Sequence, residues 1–106
     1  MIRTGIGFDI HRFARGRPLV LGGVHIESDR GLAGHSDADV ICHAAADALL
    51  GAMADGDIGS HFPDTDPAWK NADSLGLLRR VAARVRALGG SIGNVDCMVL
   101  AEVPRL

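Results

Sequence analysis

Read in order, the elements of this sequence are strand, strand, helix, helix, strand. That order predicts an α/β fold of the α+β sandwich type, a mixed sheet with helices packed on one face. Three observations carry the prediction. Residues 2–11 alternate with period two, Ile2, Thr4, Ile6, Phe8 and Ile10 on one side and Arg3, Gly5, Gly7, Asp9 and His11 on the other. Residues 38–54 and 75–88 carry apolar side chains at helical spacing. Residues Ser91–Val103 read as a strand again.

Each element has its own signals. In residues 2–11, Asp9 and His11 point the same way, away from the apolar face, and Gly5 and Gly7 leave room beside them for a ligand or another backbone. Residues 12–18 read as a loop ending at Pro18. A second strand is expected over Leu19–Ile26, with a bulge at Gly22-Gly23, followed by a polar, glycine-rich loop from Glu27 to Gly34. Ser36 or Asp37 is a suitable cap for a helix over Ala38–Ala54, whose apolar positions include Val40, Ile41, Ala44, Ala48, Leu49 and Met53. Prolines 63 and 67 and several turn formers make residues 55–72 irregular, and long loops of this kind are often functional. Asp73 or Ser74 caps a second helix over Leu75–Leu88, with Leu77, Leu78, Val81, Val85 and Leu88 in one stripe and Arg79, Arg80, Arg84 and Arg86 toward water. Gly89-Gly90 ends it.

The 106 residues suffice for one domain, residues 1–106. With 47% apolar and 23% charged residues the chain reads as globular and soluble, and a domain this small makes oligomerisation a plausible source of stability. A net charge of -2 and the lack of a Lys/Arg run argue against nucleic-acid binding, and no segment suggests a membrane surface or span. Cys42 and Cys97 form no C-x-x-C pair and read as reduced thiols. With no signal-length apolar run at the N-terminus, the expected location is the cytoplasm.

The polar residues point to chemistry. Asp9, His11 and His43 make a set of two imidazoles and one carboxylate. Three protein ligands leave a fourth position open, as in a catalytic zinc site, and this donor mix suits zinc better than calcium or magnesium. On the first helix Asp39, His43 and Asp47 recur every four residues, so the two carboxylates are expected to orient the imidazole from either side. His35-Ser36 at a helix start has two readings of equal weight, a phosphate site at the positive end of the dipole or a plain cap beside a histidine. The loop carboxylates Asp55, Asp57, Asp64 and Asp66 read as turn formers, or as support for a hard cation or for substrate hydroxyls. Trp69 packs or flanks a pocket, while His25 and His61 have no companions. No Walker A sequence, G-x-S-x-G elbow or cysteine nucleophile is present. The residues therefore lead to a metal-dependent enzyme acting on a phosphorylated small molecule.

Several motifs occur together in order: Gly7-Phe8-Asp9-Ile10-His11, Gly22-Gly23-Val24, His35-Ser36-Asp37-Ala38-Asp39, Asp57-Ile58-Gly59, Phe62-Pro63-Asp64-Thr65-Asp66-Pro67, Ala72-Asp73-Ser74 and Gly93-Asn94-Val95-Asp96. In these the chain resembles the 2-C-methyl-D-erythritol 2,4-cyclodiphosphate synthase family of the non-mevalonate isoprenoid pathway. The resemblance implies a compact α/β sandwich forming homotrimers, with active sites between subunits. It implies that Asp9, His11 and His43 hold zinc or another divalent transition metal, with a substrate phosphate as fourth ligand. Magnesium or manganese would bind with the substrate diphosphate. His35 would be catalytic, assisting transition-state stabilisation, and would contact the diphosphate together with Ser36. Asp9, Ile10 and His11 would also contact substrate, Asp47 its hydroxyls, and Asp57, Ile58 and Gly59 the methylerythritol and phosphates. Phe62, Pro63, Asp64, Thr65 and Asp66 would line the same pocket. Ala101, Glu102, Val103, Pro104, Arg105 and Leu106 would begin a cytidine pocket.

The implied reaction is cyclisation of 4-diphosphocytidyl-2-C-methyl-D-erythritol 2-phosphate with release of CMP. The nucleophile belongs to the substrate, so the protein needs none, and catalysis reduces to positioning and charge neutralisation. Members of the family continue past Leu106, where they carry a Thr for the transition state and a Glu for the second cation. The chain thus reads as C-terminally truncated, with little turnover expected of these residues alone. Glu102, Val103 and Arg105 stand where the family usually has Gln, Ala and Lys, and Arg for Lys keeps charge but changes geometry. Two other readings compete: a non-catalytic, trimeric scaffold binding zinc and nucleotide, and a metal-dependent phosphohydrolase.

Overall fold

Four short strands and two long helices make up most of the regular structure in the computed structural model, which describes residues 1–102, 104 and 106. The elements are β1 (Phe13–Arg15), β2 (Leu19–Leu21), β3 (Val24–Ile26), β4 (Arg30–Leu32), α1 (Val40–Ala52), α2 (Ile58–His61), a 3-10 turn at Pro67–Trp69, and α3 (Ser74–Ala87). The result is a mixed α and β fold with two small antiparallel sheets, β1 with β4 and β2 with β3.

The expected second strand is in fact a hairpin. Leu19 pairs with Ile26, Val20 with His25 and Leu21 with Val24. Gly22 and Gly23 are its two-residue turn rather than a bulge, both with positive φ, 61° and 79°, which the right-handed twist of a tight hairpin demands. β1 and β4, in segments expected to be loops, pair from Phe13 opposite Leu32 to Arg15 opposite Arg30. Three residues are too few for alternation to stand out. Leu19, Leu21, Leu32 and Ala38 form one buried cluster here, with Phe13, Ile26, Val40 and Ile41 against it.

α1 begins two residues later than expected. Ala38 is left-handed, φ 58°, and Asp39 rather than Ser36 or Asp37 caps the helix through Cys42 N–H. Its buried face is Cys42, Ala46 and Leu50. Ala46 and Leu50 meet Val81 of α3 in a second cluster joined by Ile58 and Phe62. Burial lifts the Cys42 thiol to about 12, with the Asp39 carboxylate adding to it, so it is an inert core side chain. α3 matches the expected helix closely, with Asp73 as cap and Gly89-Gly90 after its end. Within the 55–72 stretch a capping box between Asp57 and Ser60 builds the single turn of α2.

The first and last predicted strands form no ladder among the described residues. Residues 2–11 and 91–102 have no strand neighbour, and their apolar side chains are bare: Ile6 is 89% exposed, Phe8 80%, Met98 87% and Leu100 89%. Period-two alternation marks a side chain's face, but only a neighbouring backbone makes a strand. The expected mixed sheet is therefore replaced here by the two small hairpin-like sheets, and Val103, the expected end of the last strand, lies outside the described residues. The other half of the alternation holds. Gly5 and Gly7 lie on α1, where a Cβ would collide with the carbonyl oxygens of Ala48 and Ala44.

The end of α1 is tied to α3 by a carboxylate. Asp55 accepts from Arg84 Nε at 2.8 Å and Nη2 at 3.3 Å, and its backbone carbonyl accepts from His61 Nε2 at 2.7 Å. The Arg84 hydrogen bond holds the Asp55 carboxyl below its ordinary 3.8; burial opposes this, and the Arg84 and His61 charges reinforce it. A lowered folded-state value stabilises the fold above the unfolded value and loses that effect as pH falls through the folded one. Asp55→Asn is thus expected to melt below wild type at neutral pH and to converge with it in acid, once pH has fallen through the lowered folded-state value, in scanning calorimetry. A gap that persists in acid would show that the ion pair is not the cause.

Candidate functional site

Asp9 and His11 come from the extended N-terminal segment, and His43 from the first turns of α1. Because the segment lies directly on the helix, the three side chains converge, and one ligand atom from each lies within 4.8 Å of the others. Asp9 Oδ2 is 3.1 Å from His11 Nε2 and 3.2 Å from His43 Nδ1. The two rings meet edge to face with centroids 5.7 Å apart. No other such group of three occurs among the described residues.

The far side of each ring explains what the near side offers. His11 Nδ1 lies 2.6 Å from the Ala33 carbonyl oxygen, which only accepts, so Nδ1 carries the proton and Nε2 keeps its lone pair. His43 Nε2 lies 2.7 Å from Ser74 Oγ and 3.1 Å from Ser36 Oγ. Asp9 Oδ2 is buried and has no hydrogen-bond partner despite the two close rings. A buried polar oxygen without a partner costs about 1–3 kcal/mol, and a cation shared by the three acceptors removes that cost. Burial pushes the Asp9 carboxyl up, but with the His43 and His11 rings protonated, a hydrogen bond from His43, the two ring charges and the Ile10 N–H outweigh it and hold it below its ordinary 3.8.

The donor set fits zinc. Ligands about 2.0–2.1 Å from a tetrahedral ion stand roughly 3.3 Å from one another, close to the 3.1 and 3.2 Å separations at Asp9 Oδ2. Two nitrogens and one carboxylate oxygen are borderline donors, not the all-oxygen set of calcium or magnesium.

The cluster opens into a cavity of ≈ 420 Å³. His35, Ser36, Ile58, Gly59, Phe62, Pro63 and Asp64 line it together with Asp9, His11 and His43, and Trp69 flanks it. Phe62 and Trp69 pack edge to face, centroids 5.0 Å apart. Arg17 holds the His35-Ser36 segment in place through the Leu32 and Ser36 carbonyls, at 2.9 and 2.7 Å. A smaller cavity of ≈ 100 Å³ is lined by Asp9, Ile10 and His11 with Ala101, Pro104 and Leu106. Glu102 is exposed and is not among its lining residues. Val103 and Arg105, expected in a cytidine pocket, lie outside the described residues.

Other expected residues stand elsewhere. Asp39 does not flank His43; its fully buried carboxylate accepts from Gly22 N at 2.8 Å, Gly23 N at 2.7 Å and Cys42 N at 3.2 Å. Asp47 accepts from Ile58 N at 2.7 Å, fixing α2 rather than the imidazole. Asp57 caps α2, and Asp66 caps the 3-10 turn. Thr65 and Asp66 are exposed and outside the larger cavity's lining. The Asp66 carbonyl takes the His35 Nε2 proton at 3.0 Å, which leaves His35 Nδ1 as an acceptor. Nor does His35-Ser36 sit at a helix start, because the Asp39 carboxylate already occupies the positive end of α1. The groups that do support His43, Ser74 and Asp37, carry no signal in the sequence beyond that of alternative caps. Ser74 is 31 residues from His43, too far for any local spacing to link them.

The YgbB family model matches residues 2–106 of the chain. A protein named 2-C-methyl-D-erythritol 2,4-cyclodiphosphate synthase from Salinibacter ruber (strain DSM 13855 / M31) is 63% identical over 105 residues, 99% of this chain and 67% of that protein. One of the same name from Bacillus cereus (strain B4264) is 58% identical over 106 residues, 100% of this chain and 67% of its own length. Among solved structures, a 2C-methyl-D-erythritol-2,4-cyclodiphosphate synthase in its CDP-bound form superimposes with a TM-score of 0.75 at 49% identity, covering 82% of this chain and 58% of that one. IspF of Plasmodium falciparum in complex with CDP gives 0.77 at 37% identity, covering 97% and 62%. The chain spans about two thirds of the length of these curated relatives and less of the solved chains. No helix among the described residues is long and apolar enough to cross a membrane.

Proposed function

This chain belongs to the YgbB family, and from that premise we propose that it takes part in isoprenoid precursor synthesis as a 2-C-methyl-D-erythritol 2,4-cyclodiphosphate synthase. The observation that carries the reading is the convergence of Asp9, His11 and His43 around an orphaned carboxylate oxygen, at the mouth of a cavity large enough for a diphosphate. The substrate is 4-diphosphocytidyl-2-C-methyl-D-erythritol 2-phosphate. An oxygen of its 2-phosphate forms a bond to the β-phosphorus, the bond from that phosphorus to the bridging oxygen breaks, and CMP departs with the electron pair. Nucleophile and leaving group are both in the substrate, so the protein's work is to hold the two phosphates in line and offset their charge.

Asp9, His11 and His43 would hold a zinc ion, which supplies charge neutralisation at a phosphate oxygen when bound. His35 and Ser36 line the same cavity and would bind the diphosphate. For His35 this means surrendering the Asp66 carbonyl, or binding as the imidazolium, since its one proton is committed there. Ile58, Gly59, Phe62, Pro63 and Asp64 would enclose the methylerythritol, and Ala101, Pro104 and Leu106 the cytidine. Asp47 and Asp57 act through the backbone of α2, which they fix, and Thr65 and Asp66 through the loop that carries the lining. Magnesium or manganese would enter with the substrate diphosphate, because the described residues offer no second convergent group. A homotrimer with subunits meeting across the bare apolar faces of residues 2–10 and 92–100, completing a larger sheet, fits the exposure of those segments. The cytoplasm is the matching location.

Turnover is the test. The chain, and a version completed to the relatives' full length, are incubated with the diphosphocytidyl substrate, zinc and magnesium. CMP and the cyclic diphosphate are expected in equal amounts. Release of inorganic phosphate would instead mark a phosphohydrolase, and zinc and CMP binding by the completed chain without product would mark a scaffold.

A further inference from the structure

Ser74 is fully buried at the first position of α3, where its hydroxyl stands between the Asp37 carboxylate and His43. An ionised carboxylate only accepts hydrogen bonds. Asp37 Oδ2 takes the Ser74 N–H at 3.0 Å, and Oδ1 takes the Asp39 N–H at 3.1 Å together with the Ser74 hydroxyl. A hydroxyl has one proton. With that proton given to Asp37, Ser74 Oγ can only accept from His43 Nε2, 2.7 Å away. Nε2 therefore carries the imidazole proton, and Nδ1, 3.2 Å from Asp9 Oδ2, presents a bare lone pair.

We propose that Ser74, oriented by Asp37, is a positioning residue that fixes the tautomer of His43 and thereby sets the affinity of the Asp9–His11–His43 cluster for a divalent transition metal. The inference rests on reading that cluster as a metal site. Ser36, the other hydroxyl near His43 Nε2, does not substitute. It lines the larger cavity, and its oxygen already accepts the Ala38 N–H at 3.1 Å. Its own proton has Ser74 Oγ as a neighbour at 3.3 Å. Ser36 is thus placed to change partners when a ligand enters, whereas Ser74 is walled off from the cavity and keeps one arrangement. The Ala33 carbonyl fixes His11 in the same way through the backbone, so only His43 depends on a side chain for its tautomer.

The first measurement uses the metal-free wild-type chain. Nitrogen-15 shifts of the histidine rings, taken well above the ordinary imidazole value of about 6.5, are expected to show His43 locked as Nε2–H. An Nδ1–H ring, or a mixture of the two, overturns the proposal. The second is zinc affinity by chelator competition. Ser74→Ala is expected to weaken zinc roughly 10- to 100-fold and to release the tautomer, whereas an affinity within about threefold of wild type overturns the proposal. If Ser74→Ala does not fold, the wild-type ring spectrum decides alone. A wild-type chain with His43 locked as Nε2–H that binds no zinc would refute the metal-site reading and not the relay.

Discussion

Replacing His43 with alanine is expected to reduce bound zinc to background, measured by elemental analysis after dialysis against trace metal. The change removes one of three ligands and leaves Asp9 Oδ2 facing His11 alone across 3.1 Å. Losing a group that merely orients a ligand weakens metal binding about 10- to 100-fold, and losing the ligand itself costs more. The fold should survive. His43 is only partly buried, and its side chain contributes hydrogen bonds to Ser74 and Ser36, together worth about 1–2 kcal/mol. Unchanged zinc stoichiometry in a folded His43→Ala chain would refute the three-ligand arrangement.

The largest expected loss of stability comes from Asp39. Its fully buried carboxylate accepts three backbone N–H groups: Gly22 and Gly23 in the hairpin turn and Cys42 in the first turn of α1. It therefore closes the β2–β3 hairpin onto the start of the helix that carries His43. Asp39→Ala strands these donors and leaves a void. Water reaches the exposed Gly22 N–H, so the loss should be about 2–4 kcal/mol rather than the full sum over three buried groups. That is a large share of the roughly 5–15 kcal/mol that holds a small domain folded. Urea denaturation gives the value directly, and a loss under about 1 kcal/mol would mean that the hairpin and helix are held together by apolar packing alone.

How much of this was legible in the sequence depends on how far apart the interacting residues lie. α3 could be read almost to the residue, because its apolar stripe, the Asp73 cap and Gly89-Gly90 agree within one short window. The start of α1 was placed two residues early, because Ser36 and Asp37 read as the cap while Asp39, the actual cap, read as part of the helix. In the folded chain the three divide the work, with Ser36 bonding Ala38 N–H, Asp37 bonding Ser74, and Asp39 capping the helix. The convergence of Asp9, His11 and His43 was legible from residue chemistry and from Asp9 and His11 sharing one face. Its support was not. Spacing by four placed Asp39 and Asp47 near His43 along the helix but could not say which way their carboxylates turn, and both turn to backbone N–H groups instead. The outer strands were misread for a complementary reason: alternation names the face of a side chain, while pairing depends on a neighbour that local sequence does not contain.

The backbone of residues 5–7 lies on α1 because Gly5 and Gly7 have nothing to hold it off. Those two missing methyl groups act as a spacer gauge for the chemistry downstream. They set the height at which the chain passes over the helix, and with it the gap across which Asp9 reaches His43. Any side chain at Gly7 must first displace the Ala44 carbonyl, so the gap would widen before a single ligand was altered.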